Sequence, residues 1–229
     1  MKDSAKQENK KSKVLSVAFI AGIVVFLLLV LALWQITDEV VIENKTGFDK
    51  DAYQVISDFK SASTTRFMLI LTFFGSALFI VPAYFLLAGI IYFFTQNRIL
   101  SVIIIAIGLS SRLLLFLIKN IFQRDRPLEP LIEDVSGFSY PSGHSFSSFA
   151  LYGLVSYFIW KTNIKKGFKW LLSILLILFA ISIAVSRVYL NVHYASDVLA
   201  GFCLSLIWLS ISFFILQKIQ SKNLYRKML

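Results

Sequence analysis

Cysteine, histidine and charge are all scarce in this chain. A single cysteine, Cys203, rules out an intramolecular disulfide and leaves the redox compartment unreadable. It sits inside an apolar run, where a small packing residue is expected. Only 16% of the 229 residues are charged against 57% hydrophobic, and the mean hydropathy is +0.74; this excludes an ordinary soluble globular composition. No internal repeat, low-complexity tract or interdomain linker breaks the sequence, so one membrane domain over 1–229 is expected. The two histidines, His144 and His193, each lie in a short polar cluster at the edge of a long apolar run.

A helix needs about 20 consecutive apolar residues to cross a bilayer. Six runs qualify: Val14–Ile36, Phe67–Phe94, Ile99–Lys119, Ser145–Trp160, Phe168–Val185 and Val198–Leu216. Continuous rather than alternating apolar runs select helices over a barrel, so an all-α, six-helix integral membrane bundle is expected. The first run exceeds a signal-peptide core and no A-x-A-like site follows it, so it reads as a retained signal anchor. Gly75 and Pro82 in the second run permit a kink.

The net charge of +10 would suggest nucleic acid in a soluble protein, but here its distribution orients the chain. Lys2, Lys6, Lys10, Lys11 and Lys13 precede the first run, Arg98 separates the second and third, and Lys161, Lys165, Lys166 and Lys169 separate the fourth and fifth. Lys218, Lys222, Arg226 and Lys227 follow the sixth. By the positive-inside rule these segments are cytoplasmic, with a basic tail at 1–13 and another at 218–229. The opposite loops carry most acids: Asp38, Glu39, Glu43, Asp49, Asp51, Asp58, Asp125, Glu129, Glu133 and Asp134. No nucleic-acid or protein partner is implied; the partner is the bilayer.

Residues 37–66 form the one sizeable segment outside. Phe48, Ala52, Val55, Ile56 and Phe59 recur there at helical spacing. Either a helix lying at the membrane surface or a solvated connector packed on the bundle fits that pattern.

Three polar clusters fall on the extracytoplasmic side of this topology. Lys119 ends the third run and Arg126-Pro127 follows. Pro141-Ser142-Gly143-His144 precedes the fourth. Ser186-Arg187 closes the fifth, and His193 with Asp197 opens the sixth. Arginine forks match phosphate oxygens and lysine supplies a point charge, although helix-end snorkelling accounts for any one of these cations alone. Ser142 is either an N-cap or, with the Gly143 amide, part of an anion site at a helix start. His193 and Asp197, four apart, share a helix face, so the carboxylate can fix the imidazole tautomer and free the other nitrogen to attack. His144 is a candidate general acid.

Together, Lys119-x6-Arg126-Pro127, Pro141-Ser142-Gly143-His144 and Ser186-Arg187-x5-His193-x3-Asp197 resemble the three-part signature of the type 2 phosphatidic acid phosphatase family, over residues 119–197. That family is similar in its site to vanadium-dependent haloperoxidases. The resemblance implies a metal-independent membrane lipid phosphatase without a cofactor. In it His193 is the nucleophile, Asp197 its orienter and His144 the proton donor to the leaving group. Lys119, Arg126, Ser142, Gly143 and Arg187 cradle the phosphoryl group. Implied substrates are phosphatidylglycerophosphate, phosphatidic acid or undecaprenyl diphosphate. The rivals are a haloperoxidase, which six spans disfavour, and a non-catalytic transporter or scaffold, which the retained histidines disfavour.

Arg112 lies seven residues before Lys119 on the same helix face, roughly 10 Å deeper. An arginine at that depth needs a partner. It is either satisfied structurally by neighbouring carbonyls or supports the site from beneath, through hydrogen bonds or water, without touching the phosphate.

Overall fold

The computed structural model describes residues 2–132 and 135–228, with side chains described at 17–219 except Ala18 and those two residues. The basic side chains near the N-terminus, those beyond Ile219, and Glu133 and Asp134 therefore lie outside the described residues. Every regular element among the described residues is helical. Helix α1 (Lys2–Thr37) runs into a π-helical turn at Asp38–Ile42. Helices α2 (Gly47–Ser57), α3 (Ala62–Phe73), α4 (Ala77–Thr95), α5 (Arg98–Phe122), α6 (Gly143–Lys161), α7 (Lys166–Tyr189) and α8 (Ala195–Met228) follow.

The six-helix layout stands, with two refinements. The run Phe67–Phe94 is two helices, because the chain breaks at Phe74–Ser76. The break falls at Gly75, where a Cβ would lie 2.6 Å from Ile183 and 2.9 Å from Ser148 Oγ. Pro82, by contrast, sits inside an unbroken α4. The other refinement concerns α6. By length and composition five segments can span a membrane: Phe19–Ile42, Ala77–Thr95, Arg98–Phe122, Lys166–Tyr189 and Ala195–Ile219. Helix α6 is not among them, since Ser145, Ser147 and Ser148 dilute its hydropathy. It tolerates these serines because it packs against α7 and α8, which bury all three. A helix shielded by its neighbours need not be apolar all round.

Small residues let the helices approach closely. The Tyr84 ring lies on Gly108, fixing α4 against α5, and Leu209 of α8 lies on Gly153 of α6. At Gly201 a Cβ would fall 2.7 Å from the Ser142 carbonyl oxygen, so only glycine lets α8 press on the start of α6. The principal core joins Ile80, Tyr84 and Leu87 to Ile104, Ile107, Leu151, Leu154, Phe158, Ile183 and Leu209.

Helix α2 lies within the 37–66 segment. It packs on α7 and α8. Its apolar residues Phe48 and Val55, and Phe59 just beyond it, face outward (57%, 63% and 68% exposed), while Asp49 is turned in and 4% exposed. The helix is anchored by its acid, leaving an apolar stripe exposed.

Candidate active site

One end of the bundle holds the 123–142 loop, the α7–α8 connection and the α3–α4 break. Between them lies a cavity of about 540 Å³. Lys119, Arg126, Gly143, His144, Arg187 and His193 all line it, and so does Arg112. Among the described residues no carboxylate does.

Lys119, Arg126 and Arg187 are each held by their local fold. Lys119, in the last turn of α5, donates through Nζ to the carbonyls of Phe138 (2.5 Å) and Ser139 (3.1 Å). Arg126 donates to the carbonyls of Gly137 (2.8 Å), Val192 (2.7 Å) and Ser136 (3.1 Å). Its Nη1 also lies 3.3 Å from His193 Nε2. Arg187, 4% exposed at the end of α7, donates to Thr72 Oγ1, while its buried Nε has no hydrogen-bond partner in the protein. An orphaned buried guanidinium donor is costly unless a ligand oxygen meets it. The Arg187 carbonyl accepts from the amides of Val192 (3.2 Å) and His193 (3.3 Å), so this residue also shapes the turn that presents His193.

Helix α6 starts at the cavity wall. Ser142, fully buried, accepts from the Ser145 amide (3.4 Å) and its own amide donates to the Asp197 carbonyl (3.0 Å). The Ser142 hydroxyl thus serves as the N-cap of α6, one of the two uses expected of it, and Ser142 is not among the residues that line the cavity. Gly143 is on the cavity, and a Cβ there would lie 4.0 Å from Lys119 Cε. The His144 ring borders the Gly75 break, where a Cβ would come within 3.1 Å of its Cδ2.

Behind the cavity stands a buried polar chain. His193 Nδ1 lies 3.4 Å from Asp197 Oδ2. The same carboxylate accepts from Ser139 Oγ and from the Tyr194 amide (3.0 Å). Arg124 donates to Asp197 Oδ1 (2.6 Å) and to Asp49 Oδ2 (2.8 Å), with its guanidinium stacked 4.1 Å from the Tyr194 ring centroid. Asp49 in turn accepts from the amide and hydroxyl of Ser196, both at 2.8 Å. Arg124, Ser139 and Asp49 are absent from the motif-based set. Arg124 lies two residues from Arg126 and Asp49 sits in the first turn of an amphipathic helix, but neither position by itself marks a site.

Burial dominates the His193 imidazole and pushes its pKa down to about 3, against the opposing Asp197 carboxylate, so it is neutral at pH 7. Burial alone would lower Arg124, but Asp197 and Asp49 hold it above its ordinary value.

A helical membrane bundle with a cation-lined, histidine-bearing cavity at one end defines an integral membrane protein built to hold an anion such as phosphate. The sequence profile of the PAP2 superfamily matches residues 97–221, over half of the chain, and the chain belongs to that superfamily. It is a membrane phosphatase. Phosphatidylglycerophosphatase B of Bacillus subtilis (strain 168) is 32% identical over 139 residues, covering 60% of this chain and 68% of the relative. Dolichyldiphosphatase of Saccharomyces cerevisiae is 32% identical over 160 residues, 66% of each chain. The crystal structure of a transmembrane PAP2-type phosphatidylglycerolphosphate phosphatase from Bacillus subtilis superposes with a TM-score of 0.73 at 26% identity, covering 86% of this chain and 96% of that one. Aquifex aeolicus LpxE, at 24% identity and a TM-score of 0.54 over 71% of this chain and 93% of its own, shares the fold.

Proposed function

We propose that this protein hydrolyses a lipid phosphomonoester or diphosphate at the extracytoplasmic face of the cell membrane through a phosphohistidine intermediate, without a metal. The observation that carries the reading is a cavity lined by cations, with no carboxylate among the described residues of its wall, and by a histidine whose Nε2 lies beside Arg126 while its other nitrogen faces a buried aspartate. Among the described residues no cluster of three metal-ligating side chains occurs.

In the first step His193 Nε2 attacks phosphorus, forming a P–N bond as the P–O bond to the lipid breaks. His144 gives its proton to the departing oxygen. Water then attacks the phosphoryl group, His144 takes a proton back, and inorganic phosphate leaves with His193 restored. Lys119, Arg126, Arg187 and the α6 amides are fixed in advance toward the charge spread over the equatorial oxygens. Asp197 accepts from His193 Nδ1 and stabilises the imidazole as it becomes cationic. Phosphate release from phosphatidic acid, phosphatidylglycerophosphate and a polyprenyl diphosphate, each in excess EDTA, tests this reading. Release by wild type is expected; loss that added divalent ion restores would indicate metal catalysis instead.

The orientation rests on charge. Arg98, Lys161, Lys165, Lys166 and Lys169 all sit at the end of the bundle away from the cavity, which the positive-inside rule makes cytoplasmic, with both termini. Cysteines placed at Lys45 and Leu131 are expected to react with an impermeant reagent in intact cells, over a background kept low by burial of Cys203. Reaction at Lys165→Cys but at neither of these reverses the orientation.

Arg124 bridges two buried carboxylates. Arg124→Met leaves Asp49 and Asp197 uncompensated, and removing one partner of a buried ion pair costs about 3–5 kcal/mol. A markedly lower thermal unfolding midpoint in detergent is expected, together with loss of turnover. An unchanged midpoint would show that the bridge contributes nothing to holding Asp197.

A further inference from the structure

Arg112 is the charged residue of the cavity that the mechanism leaves unused. It lies within the α5 span, half-buried, and its guanidinium makes no hydrogen bond or ion pair with any described residue, although it lines the same cavity as Lys119 and His144. Satisfaction by neighbouring carbonyls, the structural alternative for it, does not occur among the described residues. A guanidinium at membrane depth facing a cavity needs an anion to neutralise it.

The broken second span adds a complement. Helix α4 begins inside the bundle, with Ser76 and Ala77 on the cavity. Tyr84 lies on Gly108 in the antiparallel pair of α4 and α5, so seven residues toward the cavity on each helix bring Ala77 level with Leu115. That level is between Arg112 and Lys119. Ser76 makes no side-chain cap to α4, and its buried Oγ is unpartnered. A discontinuous helix thus turns its positive end to the cavity between the levels of Arg112 and Lys119, the arrangement by which broken helices hold anionic groups inside membranes.

We infer that Arg112 and the start of α4 form a second phosphate subsite on the membrane side of the cavity, which takes the tail-side phosphoryl group of a lipid carrying two. The inference rests on the lipid phosphatase reading and narrows its substrate. The reacting group lies at His193, and the other is held along the path toward the bilayer. Arg112 and Lys119 are roughly 10 Å apart along α5. That separation suits a phosphomonoester joined through a short polyol to a phosphodiester better than a diphosphate, whose phosphorus atoms share one bridging oxygen.

The test compares kcat/KM for phosphatidic acid, a polyprenyl diphosphate and phosphatidylglycerophosphate in mixed micelles, for wild type, Arg112→Met and Arg112→Lys. The expected result is a fall of about 10- to 100-fold in the ratio of phosphatidylglycerophosphate to phosphatidic acid in Arg112→Met, the scale of a lost charge-assisted hydrogen bond. A ratio measured on one preparation does not depend on its folded fraction. Arg112→Lys is expected to give an intermediate ratio, and it carries the test if methionine at this depth prevents folding. Unchanged ratios in both variants overturn the subsite. A loss confined to the diphosphate overturns the polyol-linked assignment. A wild type that hydrolyses none of the three overturns the phosphatase reading itself, which distinguishes that failure from failure of the subsite.

Discussion

His193→Ala is expected to abolish turnover. On the proposed mechanism this substitution removes the nucleophile of a covalent hydrolase, a loss on the order of 10⁶-fold. His193 is held by the Arg187 carbonyl at its amide and by the Asp197–Ser139 pair at Nδ1, which on the proposed mechanism leaves Nε2 for phosphorus. Because burial pushes the imidazole down to about 3, the neutral, nucleophilic form persists as pH falls through the ordinary histidine range and is lost only near the depressed value. Nitrogen-15 NMR of the histidines is simple in a chain with two. The resonance missing from His193→Ala is expected to stay neutral at pH 5 in wild type. A resonance that titrates near 6.5 contradicts the burial argument, and substantial phosphate release by His193→Ala contradicts the nucleophile.

His144→Ala is expected to lower turnover about 10²–10⁴-fold on a natural lipid ester, the usual worth of general acid catalysis. The loss should be much smaller with p-nitrophenyl phosphate, whose leaving oxygen departs without a proton. The two histidines line one cavity but come from different elements, His144 from the first turn of α6 and His193 from the α7–α8 connection. They can therefore act on opposite ends of the breaking bond. Comparison of the two substrates separates this role from a merely structural one, since misfolding lowers both rates by the same factor. Equal losses on the two substrates remove His144 from proton transfer.

Much of this site was legible because its signature residues stand alone among long apolar runs. Lys119, Arg126, Gly143, His144, Arg187 and His193 all reach one cavity, as a shared face of the bundle required. Asp197 stands behind His193 rather than on the cavity, as an orienting group should, whereas the Ser142 hydroxyl caps its helix. Local sequence could not separate the two uses of a serine at a helix start, because both place the same residue at the same position. Asp49 and Arg124 were hidden for a different reason. They are 75 positions apart, and an acid on the polar face of an amphipathic helix reads as solvated until the tertiary fold turns that face inward. The α3–α4 break was half-visible: Gly75-Ser76 inside an apolar run is a pair that kinks helices. Whether the chain bends or stops there depends on Ile183 and Ser148 of other helices.

The central claim is that His193 carries the phosphoryl group, and trapping it is the most direct measurement. Wild-type protein is mixed with a radiolabelled lipid phosphate, quenched within the first turnover, and divided between acid and alkali. The account predicts label that survives alkali, is lost in acid and maps by mass spectrometry to the peptide containing His193. Label on a serine or aspartate, or phosphate release with no phosphoenzyme at any quench time, would contradict it.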